Sequence, residues 1–252
     1  MSDKTPSQAV NKRSATSPDE GPRKKHKPNP PDFSEADKFV TFLIGPSEKT
    51  FLVHKEVVCY HSPVLSAAFN SAFVEGQTQT YTLDDTTEGA FKLLVQWFYG
   101  KKIQLQILQE EYKRSHQVYN EKIQDIIDQE HDDLLRLWVL ADKFSIPTLQ
   151  NLVMRKLNEI SEWTYHIHFV GLGYIYLNTV KGSPLRKYFV EVIARELSSD
   201  HYKTDPEDFP KEMLLELAIF YSKRWHSSKS LKIERFMVPV PDVEDSGSST
   251  EA

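Results

Sequence analysis

Two histidines and the only cysteine of the chain, His54, Cys59 and His61, fall within eight positions of the stretch FLVHKEVVCYHSPVLSAAF, residues 51–69. Imidazole and thiolate are ligands for zinc, and a thiol beside an imidazole is the core of a cysteine nucleophile. The spacing argues against both. A zinc site needs three or four ligands converging at about 2.0–2.3 Å, and no C-x-x-C or H-x-x-x-H accompanies these three residues. His54 stands at the end of a predicted strand, and Cys59 falls on the apolar side of a short predicted helix, where a lone cysteine behaves as a small hydrophobe. The cluster reads as scaffold.

Other catalytic patterns are missing from the sequence. There is no G-x-S-x-G, no phosphate-binding loop and no G-x-G-x-x-G, and the nine glycines are scattered. His166 and His168 are two residues apart and would not share a helical face. Carboxylates are plentiful but sit in charge runs. The sequence gives no catalytic, cofactor-binding or metal-binding residue, so the expectation is a non-enzymatic protein that works by binding other proteins.

Composition narrows the partners. The chain has 252 residues with a formal charge of −5. Residues 1–31 hold seven Lys and Arg against three Asp and Glu, a net +4, which leaves −9 on the remainder. An acidic body does not match a phosphate backbone, so no direct nucleic-acid contact is expected. No apolar run reaches the 18 or so residues of a membrane span, and the N-terminus carries no secretory signal. One cysteine cannot form an internal disulfide, which fits a reducing compartment. An intracellular, soluble protein is expected.

Residues 1–31 are rich in Pro, Ser, Lys and Asn, with no aromatic residue, and are expected to be disordered. Lys12-Arg13 and, further on, Arg23, Lys24, Lys25 and Lys27 form two basic clusters on a flexible spacer. That pattern resembles a bipartite import signal, for which the partner is an import receptor and the destination the nucleus, shared with the cytoplasm. A solvated charged tail is the plainer alternative. The end from about Pro239, an acidic polar stretch, is expected to be disordered as well.

Between these tails the elements can be placed. KFVTFLIG at 38–45 and TFLVH at 50–54 are strand-like and bracket the turn PSEK, which makes a hairpin. KEVVCYH is a short helix, and Ser62-Pro63 is an N-cap followed by proline at the first helical position. TQTYTLDD at 78–85 alternates as a strand. Asp85 with Glu88 suggests a capping-box start for the helix 88–100, and Gly100 suggests its close. Helices follow around Leu134–Ala141 and Leu149–Ile160, broken at Ser145-Ile146-Pro147.

These residues carry a resemblance. D-x-x-V-T-F-L-I-G, F-L-V-H-K-E-V-V-C-Y-H-S-P-V-L-S-A-A-F, T-Y-T-L-D-D, F-K-L-L-V-Q-W-F-Y-G and, at 142–149, D-K-F-S-I-P-T-L together resemble a BTB/POZ domain over residues 33–161, most of all fungal proteins of that family with a C-terminal helical extension. The resemblance implies an α+β fold, a small mixed sheet flanked by a helical cluster, followed by an α-helical extension at 162–236. It implies a structural motif of Asp37, His54, Lys55, Ser62 and Pro63, with His54 tied to Asp37. It implies an adaptor or scaffold acting by self-association or partner binding. Phe73-Val74-Glu75 stands where ligase adaptors of the family carry their cullin-docking motif, so Phe73 and Glu75 are docking candidates. Phe73 closing the local core is the alternative. A third reading is a nuclear transcriptional co-regulator without a DNA-reading motif of its own. A strand-swapped dimer fits poorly, because PNPPDFSEA at 28–36 is too rich in proline.

One segment departs from the family pattern. Residues 102–133, charged and Gln-rich, read as a polar surface insertion, partly helical, with a partner-specific arm as the alternative. Beyond 162, Ser183-Pro184 and Phe209-Pro210 start two further helices, with apolar faces at Leu185, Phe189, Val192 and Ile193 and at Leu214, Leu217, Ala218 and Tyr221, expected to pack on the helices before them.

Overall fold

A computed structural model describes residues 30–109, 121–164, 171–204 and 206–224. Three strands form a mixed sheet in the order β2-β1-β3: β1 (Phe39–Ile44), β2 (Lys49–His54) and β3 (Thr80–Leu83). β1 runs antiparallel to β2, with Val40 opposite Val53, and parallel to β3, with Ile44 opposite Leu83. Alternation in β1 sends Val40, Phe42 and Ile44 inward, all essentially without solvent contact.

The crossover from β2 to β3 is a helical hairpin. α1 (Lys55–His61) and α2 (Pro63–Phe69) meet at Ser62, and the short α3 (Val74–Thr78) returns the chain to the sheet. Ser62 is fully buried; its hydroxyl accepts from the Leu65 N–H at 3.0 Å and donates to the Phe144 carbonyl at 2.8 Å. The predicted cap thus serves also as a clamp to a turn 82 residues away. α4 (Glu88–Gly100) packs Phe91, Leu94 and Phe98 into the core. Its ends differ from expectation by one or two residues. Thr87, not Asp85, is the N-cap, accepting from the Ala90 N–H, because Thr87 has the extended backbone a cap requires. Lys101, not Gly100, takes the left-handed position that closes the helix, at φ 55°.

α5 (Glu121–Lys143), α6 (Pro147–Thr164), α7 (Leu172–Asn178), α8 (Pro184–Glu196), a short α9 (His201–Thr204) and α10 (Lys211–Arg224) complete the described structure. The expectation of a surface insertion at 102–133 is corrected. Ile103, Leu105 and Ile107 are buried, as are Ile123 and Ile127 on the first half of α5. The loop is irregular, so its amides need partners, and Glu130 supplies them. One carboxylate oxygen accepts from Gln106 N–H at 2.7 Å and the other from Ile107 N–H at 3.2 Å. Residues 110–120 lie outside the described part.

The helical extension leans on α5. The Phe189 ring of α8 meets the His131 ring of α5 edge-on at 5.9 Å, and Arg136 of α5 lies over the Tyr174 ring of α7. Ser183 caps α8 as expected, accepting from the Arg186 N–H. The inward face of α8 uses Val190 where Val192 was expected, and that of α10 uses Met213 and Leu217, leaving Leu214 and Tyr221 about two-fifths exposed. Arg186, only 4% exposed, joins the three helices: it donates to the Tyr176 and Thr179 carbonyls, pairs with Glu212 at 2.7 Å and lies over the Tyr176 ring.

Candidate functional site: the Phe73–Glu75 segment and its supports

The turn after α2 is braced residue by residue. Ser71 Oγ donates to the Ala68 carbonyl at 2.8 Å and accepts from the Phe73 N–H at 3.1 Å, which fixes Phe73 as the N-cap of α3. The Phe73 carbonyl takes the Gln77 N–H at 3.0 Å, and the Gln77 amide donates to the Ala72 carbonyl at 2.7 Å. Gln79, left-handed at φ 51°, donates to both the Phe69 and Gly76 carbonyls. A second donor reaches the Phe69 carbonyl, the Lys55 ammonium at 3.0 Å. Gly76 is a required glycine: a Cβ there would lie 2.0 Å from the Ser71 carbonyl oxygen.

On this frame Phe73 is 76% exposed and Val74 64%. Phe73 therefore does not close the local core. Glu75 is half-buried in the first turn of α3, and the Tyr81 pKa is raised first by burial and then by the Glu75 and Asp85 charges. The chemistry on offer is recognition: a wet aromatic, an aliphatic and a carboxylate held at fixed positions.

The other predicted residues fall in three places. His54 does not reach Asp37. Its Nδ1 sits 2.7 Å from the Tyr99 hydroxyl, and its ring packs against Phe33 and Phe39, while Asp37 lies in the exposed turn ahead of β1. Lys55 donates to the Phe69 carbonyl, Ser62 caps α2, and Pro63 occupies the first turn of that helix. Cys59 and His61 part company with His54. The Cys59 thiol is half-buried, pushed up mainly by burial, and faces the Asn70 amide. His61 stacks on Phe98 and meets Trp97 edge-on, with the Lys101 ammonium against its edge, 3.0 Å from Nδ1. Burial first, and the Lys101 charge second, hold its pKa down at about 4. Among the described residues no three His, Cys, Asp or Glu side chains are grouped so as to hold a metal ion. Lys12, Arg13, Arg23, Lys24, Lys25 and Lys27 lie outside the described residues.

Sequence reasoning missed one feature. A cleft of about 540 Å³ opens between the ends of α1 and α4 and the side of α6, lined by Tyr60, His61, Trp97, Lys101, Thr148, Leu152 and Arg155. Its residues come from three separate segments, and no local pattern joins them.

A three-stranded mixed sheet, a capped helical hairpin crossing over it and an exposed, braced turn segment define a small α+β domain. The family model for the BTB/POZ domain matches residues 32–161, just over half of the chain, and the chain belongs to that family. Domains of this family are protein–protein interaction modules that mediate partner binding and dimerisation. No curated protein matches the chain.

Proposed function

We propose that this protein is an adaptor that docks on a cullin scaffold of a ubiquitin ligase through Phe73, Val74 and Glu75. The observation that carries this reading is the 76% exposure of Phe73 on a segment whose backbone is braced by hydrogen bonds at Ser71, Phe73 and Gln77. A phenylalanine left in water gains nothing for the fold, whereas burying one in a partner pocket is worth about 1.5–3 kcal/mol. Rigid presentation adds to that, because little conformational freedom is lost on binding. Glu75 then fixes orientation by pairing with a donor on the partner.

The test is a calorimetric titration of the full chain against the N-terminal domain of a cullin. Binding that falls by tenfold or more, about 1.4 kcal/mol or more, in both Phe73→Ala and Glu75→Ala supports the reading. No binding by folded protein sinks it. The basic clusters at 12–27 support a nuclear setting with an import receptor as a further partner, and fluorescence from a tagged chain lacking residues 1–28 would report on that.

Self-association is the second reading. It is favoured by Leu52, 63% exposed on the outer strand β2, and by the half-exposed Phe39 on β1, which lies diagonal to it opposite His54. Sedimentation equilibrium of the full chain and of Leu52→Lys separates a dimer from a monomer.

A further inference from the structure

The cleft lined by Lys101, Arg155, His61 and Trp97 differs in charge from the body around it. The chain beyond residue 31 carries a net −9, yet no described residue lining the cleft is acidic and two, Lys101 and Arg155, are basic. Neither Lys101 nor Arg155 has an ion-pair partner among the described residues. Arg155 stands exposed on α6. Lys101 instead turns its ammonium to the Trp97 face, 4.0 Å from the ring centre, and to the neutral edge of His61, with a long 3.5 Å hydrogen bond to the Phe98 carbonyl. These neutral groups offer the ammonium no counter-charge.

The backbone tells against a purely structural lysine. Lys101 holds the left-handed position at the end of α4, where glycine is the residue without a steric cost. The floor of the cleft is apolar, from Trp97, Leu152 and the Tyr60 ring. Its size falls within the 300–1,000 Å³ of ordinary ligand sites.

We propose that this cleft binds an acidic peptide segment of a protein partner, a carboxylate engaging Lys101 and Arg155 while the neighbouring apolar side chain lies on Trp97 and Leu152. Charge complementarity selects the occupant. An anion placed there supplies the counter-charge that the cleft lacks, and the charge-assisted hydrogen bonds it forms are the strong kind. An aromatic and aliphatic floor beside the cations selects a carboxylate carried next to an apolar group over a bare inorganic anion. The site is separate from Phe73–Glu75, so one chain can hold two protein segments at once.

The facing groups set the pH dependence. They are Lys101, Arg155, His61 and Tyr60. Burial lowers Lys101 to about 8, and His61 stays neutral down to about 4. Affinity should therefore fall as pH rises through 8 and change little between 7 and 6.

The probe is an acetylated, amidated hexapeptide Asp-Glu-Leu-Glu-Phe-Asp, titrated calorimetrically into the full chain. Its control is the neutral Asn-Gln-Leu-Gln-Phe-Asn. The proposal expects saturable one-site binding of the acidic peptide, weakened about fivefold or more by Arg155→Gln and by Lys101→Gly. Lys101→Gly suits the left-handed position, so its melting temperature should not fall and lost binding cannot be blamed on unfolding. Loss of the pH dependence near 8 in Lys101→Gly completes the pattern. Absence of saturable binding overturns the proposal, as do equal binding of the neutral peptide or unchanged affinity in both variants. Inorganic phosphate alone displacing the peptide at equal concentration would also overturn it, and would make the cleft a site for small anions.

Discussion

The Ser62 hydroxyl donates to the Phe144 carbonyl at 2.8 Å, deep in the core, and so locks the start of α2 to the turn between α5 and α6. The same oxygen caps α2 by accepting from the Leu65 N–H. Ser62→Ala removes both at once and leaves a buried carbonyl without its partner. A cap is worth about 1 kcal/mol and an orphaned buried acceptor costs about 1–3 kcal/mol. The expected loss is about 2–3 kcal/mol in a denaturant titration, with an unchanged slope. A loss under about 0.5 kcal/mol would mean the clamp is redundant.

Gly89 and Asp133 form a second fixed contact. A Cβ on Gly89 would lie 1.9 Å from Asp133 Oδ2, and the same carboxylate accepts from the Thr87 hydroxyl at 2.5 Å. Gly89→Ala should destabilise by about 1–3 kcal/mol through overpacking at the start of α4. In the Asp133→Ala background the same change should cost little, because the clashing carboxylate is gone. A double-mutant cycle measures the coupling, and additive effects would refute the contact.

His61 should make the fold acid-sensitive in a defined window. Its folded pKa, about 4, lies below the ordinary 6.5, so the folded state prefers neutral imidazole. Stability from this group is present above pH 6.5 and is lost as pH falls toward 4. His61→Gln should flatten that part of the stability curve, read as melting temperature against pH. Parallel curves for the two proteins would contradict the assignment.

Arg186 and Glu212 form an asymmetric pair. Arg186 is 4% exposed at its side chain and Glu212 69%. Arg186→Met should cost about 3 kcal/mol or more, because it strips the Tyr176 and Thr179 carbonyls of their donor. Glu212→Gln should cost less than about 1 kcal/mol, since water solvates the exposed side of the pair. Chemical denaturation of the two variants side by side is the check, and similar losses would show that the pair, not the guanidinium's backbone contacts, matters.

The elements that hold these contacts were readable to different depths. Strand alternation in FVTFLI and the Ser62-Pro63 cap are local signals, and both appear in place. The partner of His54 was missed because Tyr99 lies 45 residues on, in the last turn of α4, and nothing in the strand announces it. Residues 102–109 looked polar because Gln alternates with Ile and Leu. Glu130, 24 residues from Gln106, turns that alternation into a buried loop. The face of α10 was mistaken because KEMLLELAIFY is apolar on several sides, so period alone does not choose Met213 over Leu214. The cationic cleft needs three segments to meet, a fact of tertiary structure only.

α5 is 23 residues long, about 35 Å of continuous helix. It carries Glu130 for the loop before it, Asp133 for α4, and His131 and Arg136 against the extension that follows. The helix is therefore an axle common to the family domain and the helices beyond residue 161, not a partition between them. A chain cut where the family match stops would bare the side of α5 that Phe189 and Tyr174 cover. Engineered fragments of this protein should accordingly keep the polypeptide through α10, and grafts that replace the family domain alone would inherit an unfinished surface.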